Sequence, residues 1–397
     1  MRRAVIIGAG IAGPVAAMAL QKAGIAATIY EAHDAPARTV GSFLTVATNG
    51  LTSLRAIAAH ACVLAAGFPT QTTVMYSGTG KRLGEVAIGS AQTKGFESRT
   101  IKRAHLHRAL LEEAGSRGIA IHYGKRLVQA EVTPDGADIR FADGAREVAD
   151  IMVGCDGVHS ATRTLIDPAA PSPRYVGLLN FGGYTPAFAA GKPGAWHMIF
   201  GKHAFFGFTP DPYGGTVWFA NVPREPATHD ERRMKSVGDW QRLLLELFAE
   251  DRGLATDVIA NGHLELSADN THDLPSVPVW HRGAAIIIGD AAHAPAPTSG
   301  QGASMAIEDA VVLGKCLRDA PTTRAAFEAF ERLRRSRVER IVAHGARGSS
   351  GKTVGPAARW LRDLMLPFVF QHLVTPTSLA WMYDYQIGWD SAASAPI

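Results

Sequence analysis

Cysteine is scarce in this 397-residue sequence: Cys62, Cys155 and Cys316 lie far apart, with no C-x-x-C pair. Neither a disulfide framework nor a zinc site follows from that spacing, and a reducing cytoplasm fits it. Excess charge is scarce as well. Forty basic and 36 acidic residues leave a net +4, and without basic stretches interleaved with aromatics there is no reason to expect a nucleic-acid partner. No apolar run reaches the roughly 18 to 20 residues that a membrane-spanning helix requires. The 15 histidines contain no H-x-x-x-H pair, His105 and His107 fall on adjacent faces of one helical segment, and no G-x-S-x-G occurs. A metal centre and a hydrolase triad are both left without support. The start, Met1-Arg2-Arg3 before a small apolar run, imitates an export signal, but regularly spaced glycines, Pro14 and direct passage into a second strand argue for a folded domain.

What is present is an ordinary globular composition, 47% hydrophobic and 19% charged, in a chain long enough for two or three domains of about 100 to 200 residues each. Residues 3–8 and 26–30 read as β-branched strands around an Ala-, Met- and Leu-rich helix, a β-α-β unit. A helix over 103–117 places Leu106, Leu110 and Ala114 on one stripe. The stretch 127–153 alternates between turn signals, as antiparallel strands do. From 175 to 225 short aromatic runs between Gly and Pro predict sheet. A helix over 239–250 follows, then the strand-like run 285–288 and helices over 303–318 and 322–344. The Arg332–Arg340 run, with Glu331 and Glu339, reads as a solvated helix face. Near the end, Trp360, Leu361, Leu364 and Met365 mark an apolar face.

Three motifs carry the chemistry. Gly8-x-Gly10-x-x-Gly13 joins strand to helix, and Glu31 ends the next strand, 18 residues after the last glycine. Glycines there let backbone approach a pyrophosphate at the helix N-terminus, and the carboxylate can accept ribose hydroxyls, so a dinucleotide is expected, NAD or FAD alike. The second motif is Gly289-Asp290-Ala291-Ala292-His293, followed by Pro295, Pro297, Gly300-Gln301-Gly302 and Glu308-Asp309-Ala310. A strand delivering Asp290 to its own C-terminal end can hold a hydroxyl, and a turn that opens a helix aims free N–H groups at an electron-rich ring; Asp290 as a simple capping residue is the plain alternative. The third is Cys155-Asp156-Gly157-Val158-His159-Ser160 with Arg163, where Asp156 can equally be a helix cap and His159 a surface histidine.

Together, in this order, the motifs resemble the class A flavin-dependent monooxygenases, the para-hydroxybenzoate-hydroxylase-like aromatic hydroxylases. The resemblance implies an α/β fold in which a Rossmann-like FAD-binding domain is interrupted by a mostly antiparallel β-sheet substrate domain, with C-terminal helices. It divides the chain into flavin-domain segments 1–75, 99–174 and 271–345, substrate-domain segments 76–98 and 175–270, and a tail 346–397. It also implies tightly held non-covalent FAD, with Gly8, Gly10, Ile11, Ala12 and Gly13 at the pyrophosphate and Glu31 at the ribose. Arg103, Val128 and Asp156 would contact the cofactor, Gly289 and Asp290 the ribityl chain, and Pro297, Gly300, Gln301, Gly302 and Ala303 the flavin ring. Many family members have Asn two residues after the Gly-Gln-Gly, where this chain has Ser304.

In that family NADPH or NADH visits only to reduce the flavin, which then forms a C4a-hydroperoxide with O2 and oxygenates the substrate. The resemblance thus implies a hydroxylase acting on a small aromatic or polycyclic substrate, as a monomer or homodimer. Pocket candidates are Pro297, Phe205, Phe206, Phe208, Val217 and Phe219. Alternation puts Phe206 and Phe208 on one sheet face and Phe205 on the other, and likewise Val217 and Phe219 opposite Trp218. No Arg occurs between Arg174 and Arg224, which disfavours a small carboxylated substrate. Other outcomes on the same fold (Baeyer-Villiger oxidation, epoxidation, reduction), a non-catalytic flavoprotein and an NAD-dependent dehydrogenase are the competing readings. A halogenase would be expected to carry W-x-W-x-I-P, which is absent.

Overall fold

The computed structural model describes residues 1–35, 42–90, 95–350, 355–372, 374 and 376–393. The parts of segments 1–75, 76–98 and 346–397 that fall elsewhere lie outside the described residues.

The apolar runs RAVII, IMVG and AII are strands buried on both faces, as strands covered by helices on each side must be. They sit inside a six-stranded sheet whose order is His281–Arg282, Ala285–Ile287, Ile151–Gly154, Arg3–Ile7, Ala26–Tyr30 and Ala120–His122. Its last five strands are parallel. The Ala12–Lys22 helix packs on the long Gly302–Asp319 helix at Gly314, where an added Cβ would lie 2.8 Å from Ala19. This close approach brings the two helices together on one side of the sheet. A three-stranded meander, Leu127–Val132, Ala137–Phe141 and Arg146–Ala149, and a smaller sheet of Phe43–Val46, Arg99–Lys102 and Phe68–Pro69 complete the first layer.

The second layer is a seven-stranded sheet in the order His263–Asp273, Arg174–Thr185, Thr216–Pro223, Phe205–Pro210, Ala195–Phe200, Thr72–Ser77 and Arg82–Ala87. All its pairs are antiparallel except Ala195–Phe200 with Thr72–Ser77. The Val237–Phe248 helix, opened by a reciprocal Ser236/Asp239 capping box, covers its outer face with Trp240, Leu244 and Phe248.

Two features depart from the sequence reading. The Arg332–Arg340 run is solvated on one side only: Arg332, Ser336 and Arg340 are exposed, but Arg334 is fully buried and Arg337 nearly so. Both are drawn inside by the carboxylates of Glu308 and Asp309 on the neighbouring helix, since a buried charge must be paired. The tail, past the Pro356–His372 helix, returns to the first layer through a second helix, Pro376–Tyr383, and the residues after it. Met382, Ile387 and Trp389 are buried there. Arg337 donates to the carbonyls of Trp381 and Met382, Lys315 to that of Gly388, and Arg318 to that of Trp389. The apolar face at Trp360, Leu361, Leu364 and Met365 does form, on the Pro356–His372 helix, but it points to solvent.

Candidate flavin and substrate site

The glycine turn is built from backbone against backbone. Gly8 has φ +101°, and a Cβ there would stand 2.6 Å from the Cys155 carbonyl oxygen; a Cβ on Gly13 would stand 2.0 Å from that of Gly8. Both positions therefore exclude a side chain for reasons internal to the fold. Gly10 is different: a Cβ there meets nothing within 4 Å, and the residue is exposed. The helix that follows has no side-chain N-cap and no acidic residue in its first turn, which leaves its positive end and free N–H groups facing that open space. Glu31 lies beside it, accepting from the N–H of Ala9 at 2.7 Å and of His33 at 3.0 Å. His107 Nε2 is 2.7 Å from the Ala9 carbonyl oxygen and braces the same turn.

The Gly-Asp motif sits at the C-terminal end of the Ala285–Ile287 strand. The Asp290 carboxylate is half-buried and makes no hydrogen bond with the described residues; burial raises its pKa, opposed first by the exposed Arg103. An unpaired, partly desolvated carboxylate is a group awaiting a donor. The turn Pro297 to Gly300 is partly exposed and leads into the Gly302–Asp319 helix, which also lacks a side-chain N-cap and first-turn acid. Gly10, Ile11, Glu31, Arg103, Asp290, Pro297, Gly300, Gly302 and Ala303 are all exposed or half-exposed, whereas Ala12, Gly13, Gly289 and Gln301 are buried behind them. Val128 is 55% exposed on the meander strand, three residues past Lys125, whose N–H donates to the Glu31 carbonyl.

Asp156 is engaged within the chain. Its carboxylate accepts from the Ser160 hydroxyl at 2.5 Å, the Thr162 hydroxyl at 3.0 Å and the Thr162 N–H at 2.9 Å, and burial raises its pKa. Arg163 reaches from the same motif to the Ala291 carbonyl, joining the Asp-Gly and Gly-Asp loops. His159 is exposed, with its ring edge-on to His272 at 5.4 Å.

Behind the Gly-Gln-Gly turn lies a network that the motifs do not reveal. The Asn49 amide donates to Gln301 Oε1 at 2.9 Å and to Glu308 Oε1 at 2.6 Å. Glu308 pairs with Arg334 at 2.6 Å and Arg337 at 2.8 Å, and Asp309 pairs with Arg334 and His293 while accepting from the Gly289 N–H. Burial alone would raise the Asp309 pKa, but His293 and Arg334 outweigh it and hold it at about 2. Ser304 is buried in this region, its hydroxyl accepting from the Ala47 N–H at 3.0 Å, and Gly50 leaves it room: a Cβ there would be 2.9 Å from Ser304 Oγ. The Ser304 side chain is thus turned toward the Thr48–Ala56 helix.

The sheet presents two unlike faces. Phe206 and Phe208 stand on the outer one, with Phe206 edge-on to Phe248 at 5.4 Å inside the helix-covered core. Trp196, Met198, Phe205 and Phe219 stand on the inner one, where the Trp196 indole donates to the hydroxyls of Thr100 at 3.0 Å and Thr45 at 3.3 Å in the first layer. Val217 shares the Phe219 side but is fully buried. The structure therefore resolves which strand face meets the first layer.

The FAD binding domain family matches residues 2–344, and the chain belongs to that family. Its relatives include the aurachin C monooxygenase/isomerase of Stigmatella aurantiaca, 29% identical over 91% of this chain and 92% of that protein. The FAD-dependent urate hydroxylase of Klebsiella pneumoniae is 27% identical over 91% and 94%. Among solved structures, Klebsiella pneumoniae HpxO complexed with FAD and uric acid shares the fold, with a TM-score of 0.82 at 24% identity, covering 96% of this chain and 97% of that one. The chain is a class A, para-hydroxybenzoate-hydroxylase-like flavoprotein monooxygenase that uses FAD as its cofactor and NAD(P)H as a transient reductant. No helix among the described residues is long and apolar enough to cross a membrane.

Proposed function

We propose that the enzyme hydroxylates a planar, largely apolar aromatic or polycyclic molecule held between the Pro295–Gly302 turn and the Trp196, Met198, Phe205 and Phe219 face. The observation that carries this reading is the chemistry of that face. It is aromatic, and the arginines at either end of the region are already occupied, Arg174 by Asp273 and Arg224 by Glu231. A carboxylated substrate would ordinarily call for an arginine fork, whereas a neutral ring gains about 25 cal/mol per Å2 buried. The relatives are named for heteroaromatic substrates, urate and the carboxylate 6-hydroxynicotinate among them, which supports the aromatic ring and not its neutrality; the neutrality rests on the face alone.

Bound FAD, reduced by NAD(P)H, supplies the oxygenating chemistry with O2. The chain's part is to hold and enclose. The open space at Gly10 and the uncapped end of the Ala12–Lys22 helix fit a pyrophosphate, with Glu31 at the ribose. Asp290 fits a ribityl hydroxyl, and the N–H groups at the start of the Gly302–Asp319 helix fit the electron-rich edge of the ring. Asp156, with its oxygens engaged, supports the cofactor through loop geometry. Three free thiols, buried or half-buried, fit a reducing cytoplasm.

The test screens neutral phenols and N-heteroaromatics against aromatic carboxylates for stimulated NAD(P)H oxidation with oxygenated product. Phe219→Ala is expected to raise KM several-fold and to release more peroxide per NAD(P)H, because the loosened wall admits water. Phe206→Ala is expected to cost about 3 to 5 kcal/mol of stability and leave coupling unchanged in the folded fraction. Stimulation by carboxylates alone, or uncoupling by Phe206→Ala and not Phe219→Ala, would overturn the assignment.

A further inference from the structure

The inner face of the seven-stranded sheet is not aromatic throughout. Across four neighbouring strands stand Phe205, Asn221, Asn180 and Asp269, each paired with the next. Directly paired residues of an antiparallel ladder point to one side, with Cβ atoms about 4.5 to 5.5 Å apart. The row therefore begins in the aromatic wall, where the Phe205 and Phe219 rings lie 6.1 Å apart, and ends in a carboxylate.

Two observations define the polar end. The buried Asn221 amide donates to Asn180 Oδ1 at 3.0 Å. That bond fixes the half-exposed Asn180 with its carbonyl toward Asn221, and its NH2 group has no acceptor among the described residues. Asp269 is exposed, accepts no hydrogen bond and forms no ion pair among the described residues. It is not on an open surface, however. Lys102 pairs with Glu265 at 2.5 Å and ties this edge strand to the first layer. Partial burial raises the Asp269 pKa, opposed first by Arg103, the same residue that opposes the rise at Asp290. Asp269 thus fronts the cleft between the sheet and the flavin layer.

A carboxylate beside an amide donor is complementary to a group that both gives and takes a hydrogen bond. A hydroxyl gives its hydrogen to Asp269 and accepts one from Asn180; a cyclic amide does the same with its N–H and C=O. A methoxy group or a bare ring edge leaves the carboxylate unpaired, and an anionic edge meets like charge.

We propose that Asn180 and Asp269 are the specificity-determining pair of the substrate pocket, reading a neutral hydroxyl or cyclic-amide N–H on one edge of an otherwise apolar ring system. This rests on the aromatic pocket proposed above and adds what that pocket selects.

Binding to the flavin-loaded full-length enzyme without NAD(P)H tests it, read from the change that 2-naphthol and 2-methoxynaphthalene each cause in the flavin absorbance. Wild type is expected to bind 2-naphthol about 10- to 100-fold more tightly, the worth of a hydrogen bond to a charged group. Asp269→Ala is expected to make the two Kd values nearly equal, with FAD affinity and melting temperature unchanged. Asp269→Asn, which keeps an acceptor, is expected to restore part of the preference, and Asn180→Ala to lose part of it. Equal affinities in wild type, or a preference that survives Asp269→Ala, would overturn the inference and leave the aromatic pocket standing. Weakened FAD binding in Asp269→Ala with an undiminished preference would overturn it too, by giving the carboxylate to the cofactor. If neither probe binds wild type, the aromatic pocket itself fails and the inference falls with it.

Discussion

Gly10 and Gly13 look alike in the sequence and differ in what limits them. Gly13→Ala is expected to damage the fold itself, because its Cβ would collide with the Gly8 carbonyl. Gly10→Val should leave the melting temperature of the flavin-free protein near that of wild type and yield protein without bound flavin, read from the visible spectrum of the purified chain. Asp290 offers a second separation. Asp290→Asn should weaken FAD by roughly 10- to 100-fold in Kd, the worth of one hydrogen bond to a charged group. It should leave the flavin-free protein as stable as before or more so, since an unpaired, desolvated carboxylate has been removed. Fluorescence titration and thermal unfolding of the apo-protein measure the two effects. The placement of these residues was legible because it is set locally, by a turn, a strand end or a helix start. Asn49 and His107 were not, because their partners lie 259 and 98 residues away in the chain and no spacing rule connects them.

At the level of elements, the Thr323–Ser350 helix shows how charge can mislead. Its buried stripe runs Phe327, Phe330, Arg334, Val338, Ile341, so the spacing already placed one arginine in line with the apolar residues; abundance of charge in the run obscured it. That arginine needs Glu308 and Asp309 on the facing helix, and the two helices are consequently held by ion pairs in a dry interior, where removing one partner costs about 3 to 5 kcal/mol. Asp309 carries a pH signature. Its native pKa of about 2 lies below the roughly 3.9 of an unfolded aspartate, so its contribution is complete above that value and is lost as pH falls through 2. The gap in melting temperature between wild type and Asp309→Asn should be wide at pH 7 and narrow between pH 4 and pH 2. A gap independent of pH would assign the effect to packing alone.

Across the whole molecule, the C-terminal return is as much part of the flavin layer as the first strand. Deleting residues 376–397 would expose the sites of Met382, Ile387 and Trp389, each worth about 1.5 to 3 kcal/mol of burial. It would also leave Arg337 and Lys315 without the carbonyls they hold. The sum approaches the whole stability of an ordinary domain, about 5 to 15 kcal/mol, so the truncated chain should accumulate as insoluble, flavin-free protein; soluble yellow protein would contradict this. The same wiring sets a timetable. The Ile151–Gly154 strand is made first, yet its neighbour Ala285–Ile287 follows more than a hundred residues later, and the carbonyl that fastens Arg337 comes 44 residues after Arg337 itself. At about 5 to 20 residues per second, the roughly 130 residues between the two strands take roughly 7 to 26 seconds to synthesise, and for that time one edge of the central sheet stands open. In the proposed site the ribityl end of the flavin is held at Gly289 and Asp290, directly after that late strand, so FAD cannot be fully held while the edge stands open.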